Sequence, residues 1–243
     1  MTHAVAGFPD LKKSAEIVKM MSGIADIIEI QIPFSDPVAD GPTMMTANEK
    51  SIAAGFRVDD AFLMTKKLSV EISTPILLMT YFNIVFCRGV STFCRDAAAA
   101  GVSGLIVPDF PIDEESREHF FAECEKNHLA PILVVSPITP KKRLQKLAKY
   151  ARGFWYAISR TGTTGARDTF EAGDLPDAIR EVSDLPVALA FGISKSEHLK
   201  KVSEKAEMAV VGSATMNFFL RKEFSFEKNL ADAEKFLRDL RET

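Results

Sequence analysis

Residues 28–43 read IEIQIPFSDPVADGPT and join a short hydrophobic strand to a proline-containing turn. Because side chains alternate between the two faces of a strand, Glu29 and Gln31 share one face and the isoleucines share the other. A carboxylate on an apolar strand is costly to bury unless the protein uses it. A second carboxylate, Asp40, follows eleven residues later, between two turns. Two carboxylates at the end of one strand suit acid–base chemistry.

Seven other apolar runs resemble this strand and alternate with segments of helical periodicity. The eight predicted strands are His3–Ala6, Asp26–Ile32, Pro75–Thr80, Ser103–Val107, Ala130–Val135, Gly153–Ser159, Pro186–Ala190 and Met208–Val211. Eight strand-then-helix units indicate an α/β protein with a (β/α)8 (TIM) barrel. A doubly wound open sheet is the alternative, but it predicts a glycine-rich fingerprint after the first strand, and A-G-F-P at 6–9 does not match one.

Start signals and apolar faces predict where several helices lie. The spaced apolar residues are Leu11, Ala15 and Val18, then Leu144, Leu147 and Ala148, and finally Ala233, Phe236, Leu237 and Leu240. Ser194 and Glu197 form a capping-box pair, and Pro140 is placed as a first-turn proline. No Ser/Gly/Pro linker interrupts the pattern, so we expect one barrel domain over residues 1–243.

Composition excludes several classes of protein. The 243 residues include 30 Lys+Arg and 33 Asp+Glu, with no basic, aromatic-rich block of the kind that binds nucleic acid. We find no apolar run long enough to span a membrane and no signal-peptide pattern. The three cysteines (Cys87, Cys94 and Cys124) show no metal-ligand spacing and predict reduced thiols in a cytoplasmic protein.

Chemistry-bearing residues fall where the active site of a barrel is expected. Glu29, Asp40, Asp109, Ser159 and Gly192 lie at or just after strand ends. Glycine-bearing segments at 160–165, 191–194 and 212–213 follow the last three strands, and Ala214–Phe219 is a candidate short helix. Such loops bind phosphate through backbone amides, and no lysine is placed as in a P-loop.

The chain resembles the tryptophan synthase alpha subunit family along nearly its whole length, and the segment at 28–43 matches the family signature very closely. The other matching segments follow in the family order: LLMTYFNIVF at 77–86, VPDFPIDEE at 107–115, SPITPKKR at 136–143, YAISRTGTTG at 156–165, FGIS at 191–194 and VGSA at 211–214. The fold of that family agrees with the barrel predicted from the periodicity.

The resemblance implies a retro-aldol cleavage of indole-3-glycerol phosphate to indole and glyceraldehyde 3-phosphate in tryptophan biosynthesis. It implies that this chain needs no cofactor and no metal. It also implies a β-subunit partner in an α2β2 heterotetramer, where a pyridoxal-phosphate enzyme receives the indole through a tunnel and joins it to serine.

The resemblance assigns different roles to the two carboxylates. Asp40 matches the family residue that stabilises or deprotonates the ring nitrogen. Glu29 matches the acid–base that protonates the ring carbon and takes the hydroxyl proton of the glycerol chain. We expect burial to raise the pKa of Glu29 and expect Asp40, in a loop beside water, to stay ionised.

Further matches define the surroundings of these two residues. The implied substrate-pocket residues are Gln31, Met79, Tyr81, Tyr156 and Thr164, the phosphate-binding residues are Gly165, Gly192, Gly212 and Ser213, and the partner-facing residues are Pro33, Asp36 and Pro37. Tyr156 is equally well explained as a barrel-core aromatic. Asp109 matches a strand-end aspartate with a structural role.

Three features depart from the family pattern. Gln31 and Ala190 both stand where the family usually has glycine, and the helix that precedes the first strand is absent or shortened. We expect the Gln31 amide to occupy open space in the pocket and to hydrogen-bond Glu29 or the substrate. The methyl of Ala190 beside the ligand is expected to cost binding.

These departures suggest an alternative function, in which a catalytically weakened or inactive alpha subunit is an allosteric activator of its partner. Another phosphate-binding barrel, such as an isomerase of the same pathway, is a third possibility that leaves the partner-loop motif unexplained. The histidines offer little support for other chemistry. His119, His128 and His198 are expected at surface or capping positions, and His3 has no motif beside it.

Overall fold

Eight parallel strands form one sheet in which each strand pairs with the next one along the chain. The computed structural model describes residues 1–158, 173–190 and 192–242. The strands are β1 Thr2–Val5, β2 Ile28–Gln31, β3 Ile76–Met79, β4 Gly104–Ile106, β5 Ala130–Val135, β6 Trp155–Ile158, β7 Val187–Ala190 and β8 Met208–Val210. All eight predicted strands are confirmed, with ends within two residues of the prediction.

The sheet closes on itself between its last and first strands. Thr2 forms a parallel bridge with Val211. The backbone N–H of Val211 donates to the carbonyl oxygen of Met1 at 3.0 Å, and the Thr2 hydroxyl donates to the carbonyl oxygen of Val211 at 2.9 Å. A closed, all-parallel, eight-stranded sheet is a (β/α)8 barrel, so the open-sheet alternative is wrong.

Helices follow the strands throughout the described part of the chain. They are α1 Leu11–Ser22, α2 Pro42–Ala53, α3 Val58–Glu71, α4 Phe82–Arg88, α5 Val90–Ala99, α6 Glu115–Glu118, α7 Phe120–Lys126, α8 Lys141–Leu147, α9 Leu175–Arg180, α10 Ser196–Ser203, α11 Ser213–Leu220 and α12 Phe226–Arg241, with a 3-10 helix at Ile112–Glu114. Side chains cap two of them: Asp10 accepts from the Lys13 N–H at 2.8 Å, and Ser225 from the Lys228 N–H at 3.2 Å.

Two predicted helix starts are displaced by one residue each. The N-cap of α10 is Lys195, so the capping box at Ser194 is wrong. The buried ring of His198 explains the difference, because its Nδ1 lies 3.3 Å from the Ser194 nitrogen and 3.0 Å from the Gly192 oxygen. This ring fixes the loop before the helix. His198 is buried and not at the surface, and its contact with the Ser194 N–H fits the capping position that was the other expectation. Pro140 is the N-cap of α8 and not a first-turn residue.

Apolar side chains fill both the barrel interior and the layer between strands and helices. The inner group is Leu77, Met79, Tyr81, Ile106, Ile132, Phe154, Ala188, Ala190 and Val210. Glu29 pairs in register with Leu77, and Gln31 pairs with Met79, so both polar side chains of β2 belong to the inner face, as alternation predicts.

The outer layer is formed by the opposite faces of the strands and by the apolar faces of the helices. On α12 the buried residues include Ala233, Leu237 and Leu240, which confirms the predicted face. Cys94 and Cys124 are buried, Cys87 is exposed, and all three are free thiols. None of the described helices combines the length and apolar character needed to cross a membrane.

Candidate active site

A cavity of about 340 Å³ opens at the carboxyl ends of the strands. Its wall includes the last residues of five strands: Met79, Ile106, Ile158, Ala190 and Val210. The carboxyl end is where (β/α)8 proteins carry their active sites, because the variable loops that follow the strands meet there. Glu29 and Asp40 both line this cavity.

Glu29 is a buried carboxyl group with few polar neighbours. Its side chain is 2% exposed. The Tyr156 hydroxyl lies 3.5 Å from its Oε2, and the His3 Nδ1 lies 3.6 Å from its Oε1. Burial, reinforced by the negative charge of Asp40, raises the pKa of Glu29 to about 8. The expected direction of the shift is confirmed, and Glu29 is mostly protonated at pH 7.

Asp40 is buried too, which corrects the expectation of a carboxylate beside water. It is 4% exposed because β2 and α2 close around it. Its Oδ2 accepts hydrogen bonds from the Gln31 Nε2 at 2.6 Å and the Asn48 Nδ2 at 3.1 Å, and the Tyr81 hydroxyl also hydrogen-bonds it. Burial raises the pKa of Asp40 to about 6, and these three donors limit the rise.

The two carboxyl groups therefore hold different protonation states near neutral pH. With pKa values of about 8 and about 6, Glu29 carries its proton at pH 7 while Asp40 is ionised. Part of the difference comes from their mutual repulsion, which disfavours two charges in one buried site. The pair can donate a proton at one point of a ligand and stabilise positive charge at another.

His3 is a site residue that the sequence analysis missed. It pairs in register with Glu29 across β1 and β2, so both side chains belong to the inner face. Burial lowers the pKa of His3 to about 4, and the ring is neutral at pH 7. Strand alternation on β1 was the available signal, but only the register of β1 against β2 brings His3 to Glu29.

The glycines after β7 and β8 lie along the same cavity. Gly192, Gly212 and Ser213 line it, and Ser213 begins α11 directly after its N-cap, Gly212. This confirms the short helix predicted at 214–219. The described residues that line the cavity include no lysine or arginine, and Ser213 offers a hydroxyl there at the start of α11. Ser159, Thr164 and Gly165 lie outside the described residues.

Gln31 and Tyr81 surround Asp40 and do not line the described cavity. Gln31 is fully buried, and its amide donates to Asp40, so the predicted contact with Glu29 or with open pocket space is wrong. A buried carboxylate is the stronger acceptor and draws the amide toward itself. The Tyr81 hydroxyl accepts from the Ala39 N–H at 3.1 Å, and its ring stacks on Phe34. Met79 and Tyr156 do line the cavity, as predicted.

Comparison with known proteins decides the family of this barrel. The model of the family described as "Tryptophan synthase alpha chain" matches residues 1–243. The chain belongs to the tryptophan synthase alpha chain family.

Relatives and solved structures from this family match nearly the whole chain. The tryptophan synthase alpha chain of Syntrophotalea carbinolica is 38% identical over 244 residues, covering 99% of this chain and 93% of the relative. That of Methanosarcina barkeri is 44% identical over 214 residues, covering 87% and 80%. A mutant tryptophan synthase alpha-subunit from Pyrococcus furiosus superposes with a TM-score of 0.89 at 32% identity, covering 100% of this chain and 97% of that one.

The loop that the family resemblance assigns to the partner runs from β2 to α2. Pro33 and Pro37 are buried, while Asp36 is exposed and Val38 is 76% exposed. The prolines are thus the buried part of the loop, and Val38 also lines the mouth of the cavity. Asp109 also has a structural contact, because its Oδ1 accepts from the backbone N–H of Phe82 at 2.8 Å, at the start of α4.

Ala190 is the departure from the family pattern that does reach the cavity. It is the last residue of β7, it pairs in register with Val210, and it belongs to the apolar group inside the barrel. Ala190 and Gly192 therefore both form part of the cavity wall.

Proposed function

We propose that this chain cleaves indole-3-glycerol phosphate to indole and glyceraldehyde 3-phosphate, as the alpha subunit of a tryptophan synthase. Membership of the family supports the reaction. The observation that carries the proposal is the pair of buried carboxyl groups in one cavity, with Glu29 protonated and Asp40 ionised near neutral pH.

The two groups suffice for a balanced proton cycle. Glu29 gives its proton to the ring carbon that bears the glycerol chain, and the positive charge that develops on the ring nitrogen is stabilised by the Asp40 carboxylate. The Glu29 carboxylate then takes the proton of the adjacent hydroxyl group. The O–H electrons form the aldehyde, the C–C electrons return to the ring, and Glu29 is protonated again.

This cycle uses side chains alone, so we propose that the chain needs no cofactor and no metal ion. The phosphate of the substrate is assigned to the backbone at Gly192, Gly212 and Ser213, together with Gly165. The dipole of α11 favours an anion at that point. Thr164, which lies outside the described residues, is proposed as a substrate-pocket residue from the family resemblance alone.

The proposed partner is a tryptophan synthase β subunit that holds pyridoxal phosphate, in an α2β2 assembly in the cytoplasm. One of the similar structures is of a tryptophan synthase complex from Pyrococcus furiosus, with a TM-score of 0.88. The β2–α2 loop supports the same assignment for this chain, because Asp36 and Val38 are exposed on a segment whose prolines are buried.

We further propose that Gln31 and Ala190 lower the rate of cleavage relative to chains with glycine at both positions. Ala190 acts through the volume of its methyl group in the cavity wall. Gln31 acts through its hydrogen bond to Asp40, which competes with the substrate nitrogen for the same carboxylate. The alternative of an inactive activator is disfavoured, because both carboxyl groups remain in the cavity with complementary pKa values.

Indole release from indole-3-glycerol phosphate tests the function directly. It is measured for the purified chain alone and with its β subunit, and for Gln31→Gly and Ala190→Gly. We expect release that rises when the partner is added and rises again in Ala190→Gly. For Gln31→Gly we expect a rise in the rate per molecule in the reactive protonation state, taken from the full pH profile. A chain that releases no indole in any of these samples, yet accelerates the reaction of the partner with serine and indole, is an activator and refutes the proposal.

A further inference from the structure

Four buried polar side chains lie near one another inside the barrel: Glu29, His3, Gln31 and Asp40. The His3 Nδ1 is 3.6 Å from the Glu29 Oε1, and the Gln31 Nε2 is 2.6 Å from the Asp40 Oδ2. His3 and Gln31 are diagonal neighbours on the inner face, because His3 pairs in register with Glu29 and Val5 pairs with Gln31. Gln31 raises the pKa of His3 against the larger effect of burial. All four residues are buried.

The contact with Asp40 fixes the orientation of the Gln31 amide. A carboxylate only accepts hydrogen bonds, so the group that meets it at 2.6 Å is the NH2 of the amide. The amide oxygen, Oε1, then faces away from Asp40. This buried oxygen has no hydrogen-bond partner, and the same is true of the buried His3 Nε2. The Gln31 Oε1 can accept a hydrogen bond, and the His3 Nε2 can donate one when it carries the ring proton. The two unpaired atoms are therefore suitable partners for each other.

The tautomer of His3 follows from this orientation. A neutral imidazole carries one proton, so an N–H at Nε2 leaves Nδ1 as an acceptor. The atom that faces Nδ1 is Glu29 Oε1, and a glutamic acid offers an O–H only when it is protonated. The separation of 3.6 Å exceeds a formed hydrogen bond by a few tenths of an ångström, which a small side-chain rotation closes.

We propose that His3 and Gln31, after small side-chain rotations, link protonated Glu29 to ionised Asp40 through a directional relay of hydrogen bonds, and that this relay determines which carboxyl group carries the proton. Both are positioning residues. The inference rests on the proposed function for the roles of the two carboxyl groups. What it adds is that the protonation state of Glu29 depends on that of Asp40 through His3 and Gln31.

Other groups also face the two carboxyl groups, and the test must separate their effects. The Tyr156 hydroxyl and the amino terminus face Glu29, and Asn48 and Tyr81 face Asp40. Asn48 provides a matched control because it donates to the same Oδ2 of Asp40 as Gln31 does and does not contact His3. Replacing Asn48 removes one hydrogen bond from Asp40, as replacing Gln31 does, but leaves the His3 and Gln31 side chains in place.

The experiment is a 13C NMR titration of the Glu29 and Asp40 carboxyl groups in the free, full-length chain, which needs no substrate. Gln31→Leu and Asn48→Leu should each raise the pKa of Asp40 by about one unit, the size expected for loss of one buried hydrogen bond. Gln31→Leu should also lower the pKa of Glu29 by about one unit more than Asn48→Leu does. Equal effects of the two variants on Glu29 overturn the relay.

His3 gives two further measurements. The 15N shifts of its ring should show the proton on Nε2 in the parent chain, and a proton on Nδ1 contradicts the relay. His3→Phe should lower the pKa of Glu29 and remove the extra effect of Gln31→Leu. If His3→Phe does not fold, the ring shifts and the comparison of Gln31→Leu with Asn48→Leu still decide. A chain that releases no indole but shows these shifts refutes the proposed function and retains the relay.

Discussion

The pH dependence of indole release follows directly from the two pKa values. The reactive form has Glu29 protonated and Asp40 ionised, with pKa values of about 8 and about 6. At pH 7 each condition holds in about ten of eleven molecules, so roughly four-fifths of the chain is in the reactive form. At pH 5 and at pH 9 this fraction falls to about one-tenth. We therefore expect a bell-shaped profile of kcat/KM with its maximum near pH 7.

The assay is single-turnover release of indole between pH 5 and pH 9, with the fold checked at each pH by circular dichroism. Asp40→Asn is the informative companion variant because it removes one of the two titrations. Its residual activity should lose the acid limb near pH 6. Its alkaline limb should move below pH 8, since the charge of Asp40 contributes to the raised pKa of Glu29.

Two results would refute this reasoning. A parent profile that keeps rising above pH 8 means that the ionised form of Glu29 starts the reaction. An acid limb that persists near pH 6 in Asp40→Asn means that another group is responsible for it.

Three further predictions follow from the same site. Glu29→Gln should raise the free energy of unfolding at pH 8 by about 2–4 kcal/mol, measured by urea denaturation. The folded chain holds the Glu29 proton up to about pH 8, while the unfolded chain loses it near pH 4.5, so wild-type stability falls across that interval and the variant should not share the fall. Ser213→Ala should raise KM about tenfold with little change in kcat, as expected if its hydroxyl binds the substrate phosphate; an unchanged KM contradicts that role. Ala190→Gly should lower KM in the same assay, and a higher KM means that the methyl group assists binding.

The fold could be predicted from the sequence because its signals are local. Each strand is a short apolar run between turns, and alternation along β2 correctly placed Glu29 on the inner face. The predicted helix starts were less accurate. At Ser194 the capping pattern was overridden by the buried ring of His198, a contact that the residue types alone do not reveal.

The environment of the carboxyl groups could be predicted only in part. The hydrogen-bond donors around buried Asp40 come from three separate elements, which meet only in the folded barrel. They are Gln31 on β2, Asn48 on α2 and Tyr81 after β3. Gln31 was assigned to the pocket because its strand face was known and its hydrogen-bond partner was not. His3 was missed because its closeness to Glu29 depends on the register of β1 against β2.

The most direct test of the account compares single-turnover indole release at pH 7 for the parent chain, Glu29→Gln, Asp40→Asn and the double variant, each with its β subunit. We predict a loss of at least about a hundredfold for each single variant, the size typical of removing one group that stabilises a transition state. The double variant should be little worse than the more damaged single variant, because the two carboxyl groups act as a unit. A single variant that keeps the parent rate contradicts the claim that these two groups carry out the cleavage together.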